Sequence, residues 1–245
     1  MSLQTQTTRA LILITLIALT AALTASSPTW RIYTHRANTF VPLPFRFASG
    51  TEVAPVPSPS ALLRRPRSPL CPIPFRSASG AGVGPLPPSW HVRAALQADL
   101  TRDGLPECVL LVWRPWEDWP IMKWSDTPSP ITANRDARGD SSHIILIEPK
   151  PSGDGYRELW AGSALALPIT HIAAGDVDGD GWNELVALEG DYASGRYGPA
   201  RHVAVWRWNG FGFTLEWRGP PGRFVALALA DLDRDGAAEI LVGER

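Results

Sequence analysis

Catalytic hardware is scarce in this chain. Its five histidines, His35, His91, His143, His171 and His202, are scattered, and no two have His-x-x-x-His spacing. There is no Gly-x-Ser-x-Gly elbow and no phosphate loop. These gaps leave no enzyme constellation, so the chain is expected to be non-catalytic. Cysteine is limited to Cys71 and Cys108. An exported chain could pair them, but Cys108 sits in an apolar run and is expected to be a packed thiol. A basic excess is missing from residues 91–245, which carry 15 basic and 23 acidic side chains, a net of −8. That balance argues against nucleic acid as a partner.

Proline is concentrated rather than rare. Thirteen of the 24 prolines fall in residues 28–90, where seven arginines face one acid, Glu52. Proline lacks the donor that helix and sheet need, so this stretch reads as an extended, solvated spacer. It contains a duplication: Pro44-Phe45-Arg46-Phe47-Ala48-Ser49-Gly50 recurs as Pro74-Phe75-Arg76-Ser77-Ala78-Ser79-Gly80. Within it, Thr29-Trp30-Arg31-Ile32-Tyr33-Thr34 alternates like a stray strand. Residues 1–27 carry one charge, Arg9, before an apolar run over 10–25. They read as an apolar helix acting as a signal peptide or signal anchor, which predicts export, with residues 10–25 as a membrane anchor if uncleaved.

The residues that organise the chain are three acidic loops. Asp176, Asp178 and Asp180 alternate, Gly181 follows, and Glu184 closes the run. Asp231, Asp233, Asp235, Gly236 and Glu239 repeat it, and Asp99, Thr101, Asp103, Gly104 and Glu107 repeat it with threonine at position 3. Apolar runs flank each copy. Carboxylates crowded this closely repel unless a cation sits among them, and an oxygen-only set suits Ca²⁺ before Mg²⁺. An EF-hand needs a carboxylate at position 12, but Leu110, Ala187 and Val242 stand there. The Val/Ile/Leu flanks suit strands, so the spacing predicts a β-hairpin with a metal in its turn. Asp and Gly also favour ordinary turns, but three in-register copies outweigh that reading.

The run apolar-Ala-Gly-Asp-x-Asp-x-Asp-Gly-x-x-Glu-Leu-Val resembles the FG-GAP repeat, also called the integrin-α-type or VCBS-like repeat. The resemblance covers roughly residues 91–245. It implies a β-propeller whose acidic loops join the first two strands of each blade and hold Ca²⁺. Thr101 departs from the pattern with a neutral ligand, so the first site should bind more weakly. The expected fold is all-β: a partial propeller of about two and a half four-stranded blades over 91–245, after the apolar helix and the Pro-rich spacer. Strands are expected near 91–98, 107–113, 143–148 and 156–161, then 169–175, 184–189, 201–208 and 211–217, then 223–230 and 239–243. The last blade would end on an exposed edge at Ile240-Leu241-Val242, inviting self-association or capping by residues 29–48.

Such a chain is expected to be an exported binding or adhesion module for a protein or glycan at the cell surface. A glycan ligand would use the Trp-rich loop, where Trp113, Trp116, Trp119 and Trp124 fall within 12 residues. The alternative is that these indoles pack as a lid. Arg138-Gly139-Asp140 on the same loop is an RGD tripeptide of a kind that also arises by chance.

Overall fold

The computed structural model describes residues 29–36, 39–43, 71, 86–118, 133–150, 152 and 155–245. The apolar run at 10–25, the duplicated Pro44–Gly50 and Pro74–Gly80, and Trp119 and Trp124 lie outside the described residues. Among the described residues there are twelve strands and no helix. No described helix is long and apolar enough to cross a membrane.

The strands form three four-stranded antiparallel sheets that do not close into a barrel. The first holds β3 (His91–Ala98), β4 (Glu107–Pro115), β5 (Asp140–Pro149) and β6 (Tyr156–Ala161) in sequence order. The second holds β7 (Ile169–Gly175), β8 (Glu184–Glu189), β9 (His202–Trp208) and β10 (Phe213–Arg218). The third runs β11 (Phe224–Ala230), β12 (Glu239–Glu244), β1 (Thr29–Arg36) and β2 (Thr39–Leu43).

That third sheet corrects the expectation of two and a half blades. β12 is no edge: β11 pairs with one side of it and β1 with the other, Ile240 facing Leu229 and Tyr33. Of the two outcomes expected for that edge, self-association and capping by residues 29–48, the pairing of β1 with β12 is the second. β2 takes the edge position, where a proline such as Pro42 is tolerated. The first strand of the second sheet, β7, lies against the first strands of the other two, β3 and β11. Their small residues allow this: a Cβ added at Gly175 would stand 3.2 Å from Leu229 Cδ1.

The sheets stack face to face, so their second strands are apolar on both sides. In β4, Val109 and Leu111 pack against Ile169, Leu185 and Ala187 of the second sheet. Cys108, Leu110 and Val112 face the other way, toward Cys71, Leu86 and Trp90. In β8, Val186 and Leu188 join Val203, Val205, Tyr33, Phe40, Phe224, Ile240 and Val242 between the second and third sheets. Continuous apolar runs are what a strand buried on both faces requires. Cys71 and Cys108 form a disulfide across 37 residues, which corrects the expectation of a packed thiol.

His143 is sealed into the first sheet. Its Nδ1–H donates to the Gly162 carbonyl at 2.8 Å and its Nε2 accepts from the Ser141 hydroxyl at 2.7 Å. Burial pushes it down to about 4, against the pull of the Gly162 carbonyl and with help from Arg114. The folded state thus refuses a proton that the unfolded chain accepts. This contribution is fully present above pH 6.5 and is lost as pH falls from 6.5 through about 4. The difference in urea stability between wild type and His143→Asn should shift by about 3 kcal/mol over that window. A pH-independent difference would contradict it.

Candidate metal loops

Each acidic loop is a hairpin turn wound around its first carboxylate. Asp176 accepts the N–H of Gly179 at 2.7 Å and of Gly181 at 2.8 Å. Asp99 does the same for Arg102 and Gly104, at 2.8 and 2.9 Å, and Asp231 for Arg234 and Gly236, at 2.6 and 3.3 Å. Positions 4 and 6 are left-handed in all three copies. Gly104, Gly181 and Gly236 have φ of 86, 86 and 100°, and position 4 reads 67° at Arg102, 79° at Gly179 and 65° at Arg234. Glycine suits position 6 for this reason. The two arginines carry the strain for the N–H bond to the first aspartate.

The closing glutamate starts the next strand and is buried: Glu107 is 2 % exposed, Glu184 0 % and Glu239 2 %. In each, one oxygen accepts the N–H of position 2, from Leu100 at 2.8 Å, Val177 at 3.2 Å and Leu232 at 2.7 Å. The other oxygen points to the loop centre. Thr101 meets it on Glu107, and the Thr34 hydroxyl lies 3.4 Å from it on Glu239. Burial pushes Glu184 up to about 7, opposed by the Val177 N–H and Arg207 and reinforced by Asp178 and Asp180. Glu239 is also raised, chiefly by burial, with Asp233 adding to it.

Three groups of ligand atoms converge to within 4.8 Å of one another: Asp99, Asp103 and Glu107; Asp176, Asp178 and Glu184; Asp231, Asp233 and Glu239. Asp180 and Asp235 stand outside these groups, their Oδ1 atoms accepting the N–H of Trp182 and Ala237, each at 2.9 Å. Thr101 is committed to Glu107. The donor sets are all oxygen, and each has a buried carboxylate aimed inward, so the residues fit a hard divalent cation. The loops are linked in a row. Asn183 Nδ2 donates to the Asp99 carbonyl at 3.1 Å, and the Ala238 N–H donates to the Asp176 carbonyl at 2.7 Å.

One residue at these loops was not found in the sequence. Arg207, on β9, contacts Asp178 Oδ2 and lies 3.3 Å from both Asp180 Oδ2 and Glu184 Oε1. It is 23 residues from Glu184, and only sheet pairing reveals it: Trp206 faces Leu185, so the next step sets Arg207 beside Glu184. Alternation along β9 was the available signal.

The Trp-rich loop is divided. β4 extends through Pro115, so Trp113 is a strand residue, 0 % exposed, with Tyr192 edge-on and Arg196 over its face at 4.9 Å. That burial takes Trp113 off the surface. Trp116 lies under Arg135 at 5.1 Å. Arg196 also bridges Asp136 and Asp140 at 2.9 and 2.6 Å, which engages the aspartate of the Arg138-Gly139-Asp140 tripeptide in the fold. A different aromatic cluster, Trp160, Trp208 and Phe213 in edge contacts, packs between the first two sheets.

Stacked all-β sheets that each open on an acidic loop define a repeat architecture. The FG-GAP-like repeat family matches residues 176–242, which span the second and third loops. That single repeat suggests membership of the FG-GAP/VCBS superfamily. No curated protein and no solved structure matches the chain.

Proposed function

We propose that the protein is an exported binding or adhesion module whose acidic loops hold Ca²⁺ as a structural ion and whose ligand is a protein or glycan at the cell surface. The carrying observation is the buried glutamate at the end of each loop, with one oxygen satisfied and the other aimed at its neighbouring aspartates. Bound Ca²⁺ would supply the positive charge these carboxylates lack, and it would lock each hairpin to the start of its second strand. Export is supported by the Arg9-led apolar run and by the Cys71–Cys108 disulfide, a bond that persists in oxidising compartments.

The protein should melt higher in millimolar Ca²⁺ than in EDTA. The gain is about 2.7 kcal/mol when Ca²⁺ stands at 100 times its dissociation constant. Asp233→Ala should remove the share due to the third loop. Equal melting in EDTA and Ca²⁺ would refute the metal reading.

A glycan ligand is the second reading, and a cleft in the fold supports it. A cavity of about 240 Å³ opens between the first two sheets, lined by Trp160, Trp206 and Phe213 among others. Aromatic walls of this kind suit a sugar ring. A glycan array on which the intact protein retains nothing would remove this reading.

A further inference from the structure

We propose that Arg207 is the resident cation of the second acidic loop, so that a divalent cation enters this loop only by displacing it. The inference rests on the Ca²⁺ reading above and departs from it at one loop. Arg207 holds Asp178, Asp180 and Glu184 together from one nitrogen, Nη2. A second guanidinium reinforces it: Arg102, from position 4 of the first loop, brings Nη2 to 3.9 Å from Asp180 and 3.8 Å from Glu184, with its guanidinium over the Trp182 ring at 5.4 Å. Glu184 Oε1 is fully buried, has no hydrogen bond and faces these two cations. The loop's charge is thus met from within the chain.

The other two loops differ at the same register position. The residue one strand over from the closing glutamate is Arg207 in the second sheet, where Leu185 faces Trp206. In the third sheet it is Thr34, next to the pair Tyr33–Ile240, and in the first it is Glu148, next to the pair Ile147–Cys108. Thr34 leaves the third loop's carboxylates uncompensated. Glu148 is drawn away by Arg157, whose Nε stands 2.6 Å from it. One sheet position therefore decides whether a loop carries its own cation. Arg207 also has somewhere to go: its Nε lies 2.9 Å from Glu216 Oε1, a carboxylate outside the loop. Displacement shifts the guanidinium from three loop carboxylates onto one it already touches.

The test is Ca²⁺ calorimetry on the full chain. In the Asp233→Ala background, which disables the third loop, Arg207→Met should add a Ca²⁺ site or tighten the second loop at least roughly tenfold, since affinity follows net ligand charge. Arg207→Lys should behave as wild type. The reciprocal variant Thr34→Arg places a guanidinium beside Glu239 and should weaken the third loop by a similar factor; it keeps the question open to refutation even if Arg207→Met fails to fold. If the third loop binds Ca²⁺ but Arg207→Met gains nothing, or Thr34→Arg loses nothing, the inference falls and the calcium reading stands. If neither wild type nor any variant binds Ca²⁺, both fall.

Discussion

Tyr33→Ala should lower the unfolding free energy by about 4 kcal/mol, the cost of emptying an aromatic site in a packed core. Tyr33 is 1 % exposed, and its ring meets Trp217 edge-on at 5.3 Å. Through Phe40 and Trp217, again 5.2 Å apart, it ties β1 and β2 to the second sheet as well as to β12. A residue in a Pro-rich stretch thus belongs to the central core. Urea unfolding of wild type and variant measures the loss as a lower midpoint. A change below about 0.5 kcal/mol, the range of surface substitutions, would mean that β1 is not part of the cooperative fold. Deleting residues 29–43 goes further, since it bares Ile240, Leu241 and Val242 along β12. Concentration-dependent association is the expected result.

Cys71→Ser should cost a comparable amount, about 4 kcal/mol for a bridge closing 37 residues, on the chain-entropy account. The bridge pins residue 71 onto the outer face of the first sheet, over Leu110 and Ile145. The same loss should follow when wild type is unfolded with a reductant present, and the variant should be indifferent to reductant. Two titratable thiols in the native, unreduced protein would overturn the bond itself.

The ten strands after residue 90 were legible because each signal was local. An acidic loop fixes where a hairpin turns, and a run of Val, Ile and Leu fixes the strand behind it. β1 and β2 were obscured by their company. The alternation of Thr29 to Thr34 was visible, but the surrounding proline content read as a solvated spacer, and nothing local says that Tyr33 faces Ile240. The disulfide was missed for the same reason, since Cys71 sits among those prolines. The acidic loops were readable as clusters of carboxylates but not as environments. That Asp180 and Asp235 stand aside, that Glu184 is fully buried, and that Arg207 enters from the next strand are properties of sheet register. Trp113 ended the strand expected over 107–113 and was grouped with the indoles that follow it, because nothing local shows that Tyr192 and Arg196 cover it.

Thr29 lies opposite Glu244, 215 residues later in the chain. At a synthesis rate of about 10 residues per second, roughly 20 s separate the emergence of these two neighbours from the ribosome. The β1–β2 hairpin is a two-stranded unit and is barely stable alone. Tyr33 and Phe40 can meet Trp217 of the second sheet before β12 has been made, but β1 has no strand to pair with except β2 until then. The third sheet is therefore the last to be completed, although it holds the earliest strands of the fold.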